Sequence, residues 1–474
     1  MKVSAILRNL IVHSFWIFSI TIFSQCSSPK VESEVETDVD EAYSGGKEGT
    51  VFDQTANAFG NSLINLNSDE VDQFVIGNSF NRNNWVTAPS STSARDGLGP
   101  FFNATSCSAC HFQDGKGTPL NADQTITQSL LFRLSIPGKG EHGEPLFDPN
   151  YGEQFNPRAI IGVEAEGDVS VTYQEMPGTY PDGTSYSLRK PTYIFSNLKY
   201  GPMSGTLISP RISTQMSGVG HLEAVTEATI QSFADPDDSN GDGISGRPNY
   251  VWDYKTRKKV MGRFGWKANQ STVEQQTASA FNGDLGVTST LFITEGLTTA
   301  QKVKYGNLAN GGSPEVEDNI FQDVVFYIKA LAVPGRRSLT DQQVISGKAL
   351  FIKANCSGCH IPKMTTGKSD SPSYLSAQTI RPYTDLLLHD MGDGLADSRP
   401  DFEATGTEWR TAPLWGIGLV QTVNKHTNFL HDGRARNEEE AILWHGGEAE
   451  KSKQAFMKFS KSDREAVLKF IDSL

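Results

Sequence analysis

Apolar residues recur at helical spacing in three places along the chain. Ile320, Val324, Tyr327, Ile328 and Leu331 follow at steps of three and four and predict a helix over 320–331. Val467, Phe470, Ile471 and Leu474 repeat the pattern at the C-terminus, behind Ser462-Asp463-Arg464-Glu465, which has the form of a capping box. Thr340-Asp341-Gln342-Gln343 is a second such start and leads through Gly347 to Leu350-Phe351; a small residue at 347 lets another helix cross closely. Between Pro137 and Tyr200 the pattern changes. Gly, Pro, Tyr and Asp dominate there, which predicts loops and short strands inserted on a helical core. A further apolar run, Leu10 to Phe23 behind Lys2 and Arg8, is too short to span a bilayer comfortably and has the length of an export-signal core.

At 474 residues the chain exceeds one hydrophobic core, and Pro334-Gly335-Arg336-Arg337 reads as a short linker between two domains. The halves echo each other: Pro210-Arg211 leads to Gly218-Val219-Gly220-His221, and Trp409-Arg410 leads to Gly416-Ile417-Gly418-Leu419, as in an internal duplication. The predicted division is 1–26 signal peptide, 27–50 acidic disordered tether, 51–335 first domain with insertions, and 336–474 second domain.

Cys-x-x-Cys-His occurs twice, as Cys107-Ser108-Ala109-Cys110-His111 and as Cys356-Ser357-Gly358-Cys359-His360. This is the attachment signature of a c-type haem: the cysteines add across the porphyrin vinyl groups and the histidine becomes the proximal iron ligand. A zinc ribbon also pairs such cysteines but does not require His after the second of each pair. The sequence therefore predicts two covalently bound haem c groups. With one helix before each motif and one at the far end of each half, it also predicts a mainly α fold of two cytochrome-c-like domains.

Four of the five cysteines are used in this way, and the fifth is Cys26. Phe23-Ser24-Gln25-Cys26 resembles a bacterial lipoprotein cleavage site with the lipid on Cys26, although Gln25 stands where Gly or Ala is usual. The other reading is an ordinary secretory signal. Both export the chain, to the periplasmic side where c-type haem is matured, and the first adds a membrane contact through the lipid anchor. Glu32, Glu34, Glu36, Asp38, Asp40 and Glu41 then predict a solvated tether. A formal net charge of -13 excludes a nucleic-acid partner, which needs a basic face.

Longer motifs carry a family resemblance. Tyr383-Thr384-Asp385 with His389-Asp390-Met391-Gly392, Arg410-Thr411-Ala412-Pro413-Leu414, Phe429-Leu430-His431-Asp432-Gly433-Arg434-Ala435 and Glu439-Glu440-Ala441-Ile442 resemble the bacterial di-haem cytochrome c peroxidase superfamily, which includes the di-haem enzyme that matures methylamine dehydrogenase. Asp96-Gly97-Leu98-Gly99-Pro100, Leu222-Glu223-Ala224, Gly262 to Lys267 and Phe281 to Gly286 resemble its branch of thiol or di-haem oxidoreductases, from Asp96 to the C-terminus. The resemblance implies a peroxidase-type oxidoreductase: the C-terminal haem relays electrons from a small redox protein or quinol-linked donor, and the N-terminal haem reduces hydrogen peroxide or another small oxidant. The alternatives are a pure electron-transfer cytochrome and an oxidoreductase acting on thiols or a partner protein.

Sixth ligands separate these functions, because an open iron binds oxidants and a six-coordinate iron passes electrons. The superfamily pattern places an axial Met where this chain has His445, which makes His445 the expected partner of His360, with Met391 as rival. For the first haem the distal candidates are His221, Met203, Met216 and Glu223. Glu223 matches the branch motif and is the expected acid–base group; its other reading is a carboxylate at a helix start. Asp238, Asn240 and Asp242 have the alternating oxygen spacing of a calcium loop, although the twelfth position is Asn249 rather than Glu. Trp266 and Trp444 are candidates for a path between the haems.

Overall fold

The computed structural model describes residues 39–368 and 372–474. The export run and Cys26 lie outside the described residues. No helix among those described is long and apolar enough to cross a membrane.

Each half contains a pair of crossing helices. In the first, Ser68–Arg82 packs on Asp318–Lys329, which buries Ile320, Phe321, Val324, Val325 and Tyr327 as its periodicity requires. In the second, Gln342–Lys353 packs on Lys461–Ser473. A glycine sits at each crossing: a methyl group on Gly77 would strike the Asp323 carbonyl, and one on Gly347 would strike that of Ala466. The echoed motifs behave alike too, with Gly220 against Lys329 and Gly418 against Asp472, each on the closing helix of its own half.

The helix starts fall close to the predicted boxes but not on them. Asp341, not Thr340, caps the first by accepting from the Gln343 N–H, and Ser460 caps the last, two residues before Ser462. In each case the side chain placed to reach the free N–H groups of the first turn determines the start.

The expected mainly α class is corrected by the structure. Seven sheets occur among the described residues, and the longest is a hairpin of Asp168–Thr179 with Ser185–Ser196, paired over its full twelve residues. It lies where loops and short strands were expected. Val169, Val171 and Tyr173 alternate inward with polar residues outward, and Pro181-Asp182-Gly183 makes the turn, with Gly183 at φ +86°. A second sheet runs on Leu130–Lys139, which pairs with Leu207–Ile212. These strands carry aromatic and β-branched residues, which suit a pleated, half-buried surface and show no helical period.

The hairpin reaches across the molecule. Tyr193 and Phe195 pack edge-on against Phe132, both with centroids at 5.2 Å, while Arg189 donates to the Arg434 carbonyl at 2.9 Å and Tyr180 to Glu439 at 2.7 Å. One apolar cluster accordingly holds Phe132, Phe155 and Trp266 together with Val344, Phe351 and Phe470. The acidic segment also ends earlier than residue 50. Val39–Ala42 is a short 3-10 turn, Glu41 pairs with Arg336 and Lys348, and Thr50–Val51 lies parallel to Val333–Pro334 at the linker.

Candidate haem sites

A single cavity of about 430 Å³ is lined by Cys107, Cys110 and His111 and also by Cys356, Cys359 and His360. The first motif is one helical turn, Cys107–Cys110, whose start is capped by Ser106 accepting from the Ala109 N–H. Ser129 donates to the Cys110 carbonyl at 2.8 Å and ties the turn to the strand that follows. The second is a 3-10 turn entered through Asn355 in the left-handed region at φ +59°.

The imidazoles are oriented alike. His111 Nδ1 lies 2.7 Å from the Thr214 carbonyl, His360 Nδ1 2.9 Å from that of Tyr383, and His445 Nδ1 2.7 Å from that of Ala441. A carbonyl partner fixes the proton on Nδ1 and leaves the Nε2 lone pair for a metal. Among the described histidines these three alone make that bond. Burial holds all three below the ordinary histidine range, His360 at about 4, so the rings are neutral as ligation requires.

His445 ends the Glu438–Trp444 helix and lines the same cavity as His360. Met391 also lines the cavity, so both expected partners of His360 are there. Next to Cys359, His389 bridges Asp385 at 2.8 Å and Glu448 at 2.7 Å. Burial opposes its charge, yet these two carboxylates hold its pKa well above the ordinary value. Glu448 also accepts from the Ser245 and Asp390 N–H groups; burial works against its charge, but these bonds hold it at about 2.

The first site is built differently. Of its expected distal groups Met216 lines the cavity, whereas Met203 packs at the edge of the apolar cluster. His221 is fully buried against Trp415 and Gly49, away from the cavity wall. Glu223 is also off the wall: it accepts from the Val273 N–H at 2.7 Å and pairs with Lys329 at 2.6 Å, which is the helix-start role. The helix it caps, Val273–Asp284, turns Val273, Gln276, Thr277, Ala280 and Asp284 toward the cavity, a helical stripe of spacing three, four, seven and eleven. Asp284 Oδ1 accepts from Gln154 Nε2 at 2.8 Å; burial raises its pKa, with Arg133 opposing.

Sequence reasoning gave no role to Asp284, although its motif is one of the shared ones. It also passed over His431, which lines the cavity, stacks on Trp409 at 3.9 Å and 11°, and is held by burial at about 4. Trp266 is on the wall and donates to the Ile212 carbonyl at 2.8 Å. Trp444 lies beneath the Arg434 guanidinium, off the wall.

In the expected calcium loop one oxygen of each residue accepts from the backbone. Asp238, Asn240 and Asp242 accept from the N–H groups of Gly243, Asp242 and Ile244, and buried Asn249 donates to the Lys267 and Asp401 carbonyls. That is an Asx-turn arrangement.

Paired thiols, a neutral imidazole with a fixed tautomer behind each pair, and a shared apolar-walled cavity fit haem at both motifs. No curated protein and no solved structure matches the chain. Residues 38–474 match the family model described as "Di-haem oxidoreductase, putative peroxidase". The chain belongs to this family of di-haem oxidoreductases, which implies haem cofactors.

Proposed function

We propose that the protein is an exported di-haem c-type peroxidase in which the second site takes up electrons and the first reduces hydrogen peroxide or a related small oxidant. The observation that carries this reading is the distribution of carbonyl-locked histidines. Two of them, His360 and His445, serve the second site, and one, His111, serves the first. When bound, haem would supply an iron that relays electrons where two side chains ligate it and takes a small oxidant where one does.

The cysteines of each motif would hold the cofactor covalently, and His111, His360 and His445 would offer it imidazole nitrogens. Reduction of peroxide to two waters takes two electrons and two protons, so the first site needs a group that holds and returns a proton. Asp284 is the carboxylate on that part of the wall: its charge acts on Cys107 and Cys110, and burial favours its protonated form. Glu223 is fixed between Val273 and Lys329 and keeps the helix that carries Asp284 in place. Electrons come from a small redox protein or quinol-linked donor on the periplasmic side, with Cys26 as a lipid anchor.

Met216 on the wall favours the rival reading, an electron carrier with both irons six-coordinate. A ferric spectrum, taken oxidised and half-reduced, decides between them. One high-spin and one low-spin haem in either state, with peroxide turnover, is expected. Two low-spin haems in both states without turnover would establish the carrier.

A further inference from the structure

Five cations line the cavity: Lys116, Arg133, Arg211, Arg410 and Lys453. Three have carboxylate partners, Arg133 with Glu153 at 2.8 Å, Arg211 with Asp401 at 2.9 Å and Lys453 with Glu450 at 2.6 Å. Lys116 and Arg410 have none among the described residues. Arg410 is 8% exposed; its Nε donates to the Gly265 carbonyl at 2.9 Å and its Nη1 to that of Thr411 at 3.0 Å, which leaves Nη2 without a partner. Lys116 is fixed through its backbone, by Asn424 at its N–H and His426 at its carbonyl, and its Nζ lies 4.8 Å from the centre of the Trp266 ring. The Arg410 N–H donates to the Trp266 carbonyl at 2.9 Å, so both cations meet the same stretch of wall.

A buried cation without a counter-ion is costly, and removing the partner of a buried pair destabilises a protein strongly. The cost shows in buried Arg410 and half-buried Lys116 alike: desolvation pushes Lys116 down to about 7 and Arg410 down to about 10, the more distant Asp385 carboxylate opposing the shift in Arg410. Arg263 shows how the fold settles a buried guanidinium that needs no anion. It gives one nitrogen to the carbonyls of Leu222, Glu223 and Val225, outside the cavity. Lys116 Nζ has no such carbonyl and Arg410 settles only two of its three nitrogens in this way, and both side chains line the cavity that the two motifs share. The anionic groups of a haem are its propionates, on the edge opposite the vinyl groups that cysteines take. They must therefore be met by residues other than those of the motifs, and a guanidinium or ammonium is their natural partner.

We propose that Lys116 and Arg410 are seats for cofactor carboxylates, each pairing with a haem propionate in the wall beside Trp266. The proposal rests on haem being held at both motifs. It is tested on holoprotein carrying Arg410→Gln, Arg410→Lys or Lys116→Met, by haem content, the propionate-bending bands of the resonance Raman spectrum, and the two midpoint potentials. Arg410→Gln and Lys116→Met should each shift a propionate band and lower the potential of one haem, because a positive charge that favours the reduced state is gone. Arg410→Lys should restore most of the potential while the band stays shifted, since an ammonium keeps the charge but not the fork. If Arg410→Gln fails to fold, the other two variants carry the test. Full haem content with unshifted bands and potentials would overturn this proposal alone, whereas wild-type protein without haem would overturn the functional reading with it. Adding acetate to wild-type holoprotein should change nothing; a spectral shift would mean that the seats are open to dissolved anions, and would also overturn it.

Discussion

The two Cys-x-x-Cys-His motifs are identical in form and stand in one cavity, yet their surroundings differ. Behind the second are a carbonyl-locked His360, a second locked ring in His445, and a charged clasp of Asp385, His389 and Glu448. Around the first are a single locked ring, a helix face of Gln276, Thr277 and Ala280, and a half-buried carboxylate in Asp284. A cofactor motif fixes where a haem is tied; the residues brought in from elsewhere set what that haem does.

That contrast can be broken most sharply by removing one site. Cys107→Ser with Cys110→Ser should halve the haem content and abolish peroxide turnover, leaving a low-spin spectrum; a surviving high-spin signal would assign the open iron to the second site. Next in size, Asp284→Asn should cut turnover by about 10²–10⁴-fold with both haems retained. Glu223→Gln, by contrast, should leave turnover within about two-fold and cost about 1 kcal/mol in thermal unfolding, from a weakened helix cap and an ion pair. Equal turnover losses in these two would return Glu223 to the reaction. The clasp predicts a pH effect. With Glu448 held at about 2 in the folded chain and near 4.5 when unfolded, its contribution is complete above 4.5 and fades as pH falls toward 2. The loss is at most about 3 kcal/mol, so acid-unfolding curves of Glu448→Gln should be flatter than wild type over that window. The smallest change is expected from His445→Met, in which the second haem stays low-spin and its potential rises as thioether replaces imidazole; an unchanged potential would point to Met391 as the ligand.

Much of this was readable from local pattern. The motifs are contiguous, and the 318–329 and 461–473 helices announce themselves by apolar spacing, as does the close crossing at Gly347 by its missing side chain. The long hairpin was hidden because Pro177, Gly178 and Pro191 interrupt its alternation, although the ladder continues through all three. For Glu223 the sequence left two readings open, acid–base group and helix-start carboxylate, because its partners are 50 and 106 residues away in Val273 and Lys329. Asp284 and His431 were visible as motif members, but only the turn of a helix and a stacked indole bring them to the cavity.

The hairpin has a consequence for how the two halves hold together. Its turn residue Asp182 is bound by Arg464, and Arg189 holds the Gly433 and Arg434 carbonyls, so it fastens one half to the other. The halves are therefore tied by an inserted strand pair as well as by the chain that joins them, and an insertion of this kind works as a brace for the framework that carries both cysteine pairs.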